Sequence, residues 1–155
     1  MSTSTAIPGI ENYTLNITLE GHVRAPIAQT FEALLEELGP ENENGEGQKM
    51  PMKLEPWPGG RWFRDLGDNN GHLWGHVQSI KRPTLLEFWG PMFMSYGAVS
   101  NVQYRLSQVD GGTLIRFHHK AVGMFSEEHR KNVSRGWAHM LEGVRARAER
   151  RAKSK

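Results

Sequence analysis

The sequence predicts an α+β domain in which a curved antiparallel sheet of about six to seven strands packs on one long C-terminal helix. Three observations carry this expectation. Over residues 126–151, Val133, Trp137, Met140, Leu141, Val144 and Ala148 recur at steps of three and four, so one side of a helix is apolar and the other charged. The preceding hundred residues break into short alternating runs separated by Gly, Pro, Asn and Asp turn signals, the pattern of hairpins. At 155 residues without a cysteine, the chain is long enough to bury roughly 70% of its surface in a single core that needs no disulfide.

The elements follow in order. Leu15, Ile17, Leu19 and Val23 nearly alternate over residues 14–24 and predict a half-buried strand, with Gly21 as a point of irregularity. Pro26 suits the first turn of a helix, and Ile27, Phe31, Leu34, Leu35 and Leu38 make its apolar stripe before Gly39-Pro40 ends it. The segment ENENGEGQK, residues 41–49, has no apolar residue and reads as a mobile, solvated acidic loop. Its carboxylates lack the spacing of a calcium loop. Strands are then expected at 52–55, 61–66, 72–80 and 84–89, punctuated by Pro56, Gly59-Gly60, GDNNG and Pro83. The apolar loop GPMFMSYGA, residues 90–98, interrupts the meander, and residues 101–109 and 113–121 form a hairpin around Asp110-Gly111-Gly112. The period of two puts Tyr104, Phe117 and His119 on the inner face. Ser126 is a good N-cap for the last helix, whose first turn carries Glu127-Glu128. The organisation expected is a flexible N-terminus over 1–12, one domain over 13–150 and a basic tail over 151–155.

Composition narrows the function. Absence of cysteine excludes disulfides and thiolate zinc sites. The opening residues lack a basic start and an apolar h-region, and no stretch approaches the roughly 18 apolar residues of a membrane span, so a cytoplasmic protein is expected. The net charge of +2 conceals an asymmetry: residues 1–77 carry five Lys/Arg against eleven Asp/Glu, a net of −6, while residues 78–155 carry fourteen against six, a net of +8. The basic end of the last helix complements the helix dipole, and no nucleic-acid partner is expected from it.

The order of elements, and the wording of the sequence within it, resemble the SRPBCC (START-like, birch-pollen-allergen-like) superfamily with its helix-grip fold, in the branch similar to the C-terminal domain of the activator of heat shock protein 90 ATPase. The residues that carry the resemblance are Pro26, Thr30-Phe31 and Ala33-Leu34, the segment LEPWPGGRW over 54–62, Gly75, Val77, Ile80, Pro83, Leu86, Trp89, Gly112-Thr113, Gly136-Trp137 and Leu141. The resemblance implies a sheet gripping the long helix, with an internal cavity that takes a small apolar or amphipathic molecule. The same fold also hosts polyketide cyclases and chaperone activators, so it implies alternatives too: a protein-interaction module, acting in the stress response on a chaperone, or a cyclase or hydrolase.

Candidate site residues follow from both readings. From the sheet they are Trp62, Trp74, Phe88, Tyr104, Phe117 and His119. The apolar loop adds Met92, Phe93, Met94 and Tyr96, which close a cavity mouth, pack on the first helix or meet a second copy in a homodimer. The last helix adds Gly136, Trp137, Met140 and Gly143. On a helical wheel Gly136 and Gly143 leave one flank of the stripe bare, which means either close packing or a pocket; with the resemblance, a pocket is expected. Polar groups such as His119, Tyr104 and Tyr96 would orient the ligand. The five tryptophans are expected to lie mostly in the core. No nucleophile elbow, phosphate-binding glycine loop or inward carboxylate pair occurs, His72 and His76 lie too far apart on a strand to share a metal, and no cofactor is expected. His119 and Asp65 are the residues on which catalysis would turn, if buried beside a hydrogen-bonding partner.

Overall fold

In the computed structural model, which describes residues 9–93 and 97–154, the first strand of the chain pairs with the last. β1 (Thr14–Val23) runs antiparallel to β7 (Gly112–Gly123). Between them β2 (Lys53–Leu54), β3 (Arg61–Gly67), β4 (Asn70–Lys81), β5 (Leu85–Gly90) and β6 (Ala98–Val109) form a meander. The seven strands are therefore ordered β1-β7-β6-β5-β4-β3-β2. Two helices, α1 (Ile27–Leu38) and α2 (Glu127–Lys153), pack on each other and on the inner face of the curved sheet, and a 3-10 turn over Ile10–Tyr13 precedes β1.

The alternation of residue types sets which face is buried. Val102, Tyr104 and Leu106 on β6 and Ile115, Phe117 and His119 on β7 are enclosed, with Tyr104 opposite Phe117 and Val102 opposite His119. The stripe of α2 is buried at Val133, Trp137, Met140, Leu141, Val144 and Ala148, and Ser126 caps the helix by accepting from the His129 N–H at 3.1 Å. Gly21 causes no break in register; its bare Cα instead lets Leu141 of α2 approach, since a Cβ there would lie 3.2 Å from the leucine side chain.

Three details differ from the sequence expectation. Residues 10–13 are folded, because the Arg130 guanidinium of α2 donates to the carbonyls of Glu11, Asn12 and Thr14 at 2.6 to 3.2 Å. The helix continues through Lys153, so residues 151–153 of the expected tail belong to its last turn. The tryptophans lie mostly in the core, as expected: Trp62, Trp74 and Trp137 are buried, whereas Trp57 and Trp89 are half exposed and Trp89 stacks on His76 outside the sheet. The acidic loop is solvent-exposed at Glu41 and over 45–49, as expected, but it is tethered. Asn42 is buried and donates to the Glu37 carbonyl, Asn44 Oδ1 accepts from the N–H groups of Glu46 and Gln48, and Glu43 pairs with His139 of α2 at 2.9 Å. Polar anchors hold what apolar ones do not.

The two ends of the chain meet across α1 and α2. Arg147 donates through Nε to Glu37 at 2.8 Å and lies 3.7 Å from Glu36 and from Glu41, while Arg151 pairs with Glu36. Burial is the largest influence on Glu37 and raises its pKa, with Arg147 acting in the opposite direction. Removing one partner of such a pair strands the other charge, so Arg147→Met should destabilise the protein by about 3 kcal/mol. Glu37→Gln in the same chain should restore most of that, as urea denaturation of the two single variants and the double will show.

Candidate functional site

The space between sheet and helix, where the sequence reading places a ligand, is filled with rings. Trp62 stacks on Phe88 at 4.6 Å and meets Trp74 edge-on at 4.9 Å; Trp137 lies 4.9 Å from Phe117, which lies 4.9 Å from Tyr104. Trp62 also donates through Nε1 to the Leu38 carbonyl at 2.7 Å, satisfying an orphan acceptor at the end of α1. These side chains are all at most 4% exposed. Trp62, Phe88, Tyr104, Phe117 and Trp137 are thus core residues, and none of them is among the residues lining the cavity at the N-terminal half of α2.

His119 belongs to the same core and is fully enclosed. Its Nδ1 accepts from the indole N–H of Trp137 at 2.9 Å, and its Nε2 lies 2.8 Å from Ser100 Oγ. An indole N–H only donates, so Nδ1 must be the unprotonated nitrogen, and Nε2 carries the hydrogen and donates to Ser100. A general base acting on Ser100 would need a free lone pair on Nε2. The pair has the spacing of a catalytic dyad and the wrong proton placement for one. Burial, followed by the charges of His129 and His118, lowers the His119 pKa to about 4. Asp65 is exposed on β3, paired with Lys53 at 2.6 Å, which holds its carboxyl below the usual range. Burial raises the Tyr104 pKa and keeps the phenol neutral; its hydroxyl has no hydrogen-bond partner among the described residues.

A cavity does open, at the N-terminal half of α2. Its volume is about 510 Å3. The apolar lining is Met50, Trp74, Phe93, Val133, Gly136 and Met140; the polar lining is Asn44, Glu46, His129, Asn132 and Arg135. Three elements place these groups. α2 presents residues 129, 132, 133, 136 and 140 on one flank, as the helical period requires. β4 supplies Trp74, against which Phe93 packs edge-on at 5.4 Å. The loop after α1 crosses α2 where Gly45 meets Gly136: a Cβ on Gly45 would lie 3.5 Å from Gly136 Cα, so the loop forms the third wall.

Trp74, Phe93, Gly136 and Met140, which the sequence singles out, are thereby brought together. Met92 is buried beneath Gly75, its N–H donating to the Trp74 carbonyl at 2.7 Å, and it forms no part of the mouth. Met94 and Tyr96 lie outside the described residues. The bare flank of α2 divides into two: a Cβ on Gly136 would meet nothing within 4 Å, whereas one on Gly143 would lie 2.5 Å from the Glu37 carboxylate. The pocket expected at Gly143 is therefore occupied by Glu37. Asn44, Glu46 and Met50 were missed because their segment reads as solvated. Among the described residues no three His, Cys, Asp or Glu side chains gather to hold a metal, and no helix is long and apolar enough to cross a membrane.

Comparison with known families gives the fold its place. The model of the activator of Hsp90 ATPase homolog 1-like protein family matches residues 24–149. The chain belongs to this family. As a member of this family it falls in the SRPBCC superfamily, and its solved neighbours share the fold. An uncharacterised protein from Rhizobium leguminosarum is 21% identical, with a TM-score of 0.67 over 88% of this chain and 95% of that one. A Bacillus halodurans protein is 21% identical, with a TM-score of 0.64 over 88% and 99%. The di-domain ARO/CYC StfQ from the steffimycin biosynthetic pathway is 11% identical, with a TM-score of 0.65; the match covers 93% of this chain and 53% of StfQ. A search of curated protein sequences returns no significant match.

Two measurements test the core assignment. Trp137→Ala should cost about 3 to 5 kcal/mol in chemical denaturation, from lost ring contacts and an orphaned His119. For His119 the folded pKa, about 4, lies below the ordinary 6.5, so its neutral form supports the fold above pH 6.5 and that support is lost as pH falls from 6.5 toward 4. Gln offers an acceptor and a donor without titrating. Between pH 7 and pH 4 the wild type should therefore lose about 2 to 3 kcal/mol more stability than His119→Gln, and equal losses would show that His119 is not held neutral.

Proposed function

We propose that the protein binds a small apolar or amphipathic molecule in the cavity between the N-terminal half of α2, Trp74 of β4 and the loop over residues 42–50. The observation that carries this reading is the cavity itself. Its volume of about 510 Å3 suits a small organic ligand, and the polar residues gathered along part of its lining offer groups to hold one end of a molecule whose remainder is apolar. Burial against Trp74, Phe93, Met50, Met140 and Val133 supplies most of the affinity, at roughly 25 cal/mol per Å2 of apolar surface removed from water. Asn44, Asn132 and Arg135 supply orientation. The helix-grip fold of the family supports the reading, since it lays the long helix over the sheet, and in this chain the junction opens at the N-terminal half of α2.

The catalytic alternative has less behind it: the Ser100–His119 pair is closed off and wrongly protonated for base catalysis. A role in docking on a chaperone rests on the family match and on the exposed apolar corner of the outer sheet face, where Val99 pairs with Val122 near Trp89.

Protein purified from its source cells should show a bound small molecule in native mass spectrometry. The emptied protein should bind 8-anilino-1-naphthalenesulfonate saturably, one per chain, with enhanced emission that the extracted molecule reverses. Empty protein from cells together with unchanged probe emission would refute ligand binding. Co-purification of a large ATPase in place of a small molecule would favour the docking role.

A further inference from the structure

The cavity walls differ in kind from a plain aliphatic pocket, and the difference selects a class of ligand. Trp74 and Phe93 meet edge to face, with ring planes at 66°, and the Phe93 ring lies 5.5 Å from the His129 imidazole. Two thioethers, Met50 and Met140, also line the cavity, and Asn42 places Met140 by donating to its sulfur at 3.7 Å. Between these groups α2 has no side chain: Gly136 is half-buried, faces the cavity, and has 4 Å of open space where a Cβ would stand. Aromatic edges and polarizable sulfur attract a π-system beyond what buried area alone provides, whereas a saturated chain gains only the area. A bare stretch of helix backbone is also flat, and it admits a ring face more closely than any side-chain-bearing turn.

We propose that the ligand is a flat, ring-bearing molecule seated on Gly136 between the Trp74–Phe93 pair and the two methionines, and that Gly136 sets the size of ring system accepted. The proposal rests on the ligand-binding reading and narrows its chemistry. Gly136 pays the usual helix penalty of an interior glycine, and the space it leaves is the return for it. Gly143, its counterpart two turns on, leaves space that Glu37 already fills, so the two glycines of α2 separate by experiment.

The test compares two probes with one headgroup, 1-naphthalenesulfonate and octane-1-sulfonate, by isothermal titration calorimetry on the full chain. The sulfonate is common to both, so a difference reports the body of the molecule. The wild type should bind the naphthalene compound at least about ten-fold more tightly. Gly136→Ala should keep that affinity within about three-fold, and Gly136→Leu should lose at least about ten-fold while its melting temperature and near-ultraviolet circular dichroism stay close to wild type. Gly143→Ala should lower the melting temperature and leave affinity per folded molecule unchanged. Octanesulfonate binding as tightly as naphthalenesulfonate would overturn the ring preference and leave ligand binding standing. Undiminished naphthalene binding by folded Gly136→Leu would overturn the seat. Failure of the wild type to bind either probe would overturn both this proposal and the reading on which it rests.

Discussion

Once the Trp137 ring is buried, its N–H must find an acceptor, and the arrangement of the molecule follows from where that acceptor stands. An unpaired indole N–H in the core would cost about 1 to 3 kcal/mol, and water does not reach it. His119 of β7 provides the lone pair, which fixes the imidazole tautomer and leaves Ser100 of β6 as the recipient of its remaining hydrogen. One directional chain thus runs from helix through the central strands, and it sets the rotation of α2 about its own axis. With Trp137 pointed at His119, Val133, Met140 and Val144 must face the sheet, and Gly136 must face sideways toward β4 and the loop. The cavity is a by-product of that rotation.

The charge asymmetry along the sequence has a spatial meaning. Acidic residues of α1, near one end of the chain, and basic residues of α2, near the other, form the two sides of one interface, with Glu36 and Glu37 against Arg147 and Arg151. Such a pair adds little net energy over an apolar one once desolvation is counted. What it adds is registry: Glu37 reaches Arg147 only when Gly143 lies beneath its carboxylate, so a helix slipped by one turn would bury an uncompensated charge. Aromatic packing tolerates small shifts; a buried carboxylate does not.

Most of the fold was legible because periodicity reports burial. Alternation placed Tyr104, Phe117 and His119 inward, and the three-four stripe placed Val133 through Ala148. The site was legible only in part. Gly136 and Gly143 are indistinguishable on a helical wheel, and what separates them is a side chain from a helix some hundred residues earlier. A signal was present: Glu37 falls in register with Thr30, Ala33 and Leu34 on the buried side of α1, and a charge on an apolar stripe implies a partner across it. The order of residues 41–49 was not legible, since it rests on single polar contacts to distant residues, Asn42 to Met140 and Glu43 to His139, which leave no repeating pattern.

That loop bears on how the protein can be handled. By composition, residues 41–49 look like the natural place for an affinity tag, a fluorescent label or an inserted domain, being polar, rich in Asn and Gly, and without predicted structure. In the folded molecule they form a wall pressed on the helix at Gly45 and Gly136. A label there would report on, and disturb, the site itself. The two-residue turn at Asp110-Gly111, at the far end of the β6–β7 hairpin, closes its strands with no side chain near Gly111 and is the better place for a graft.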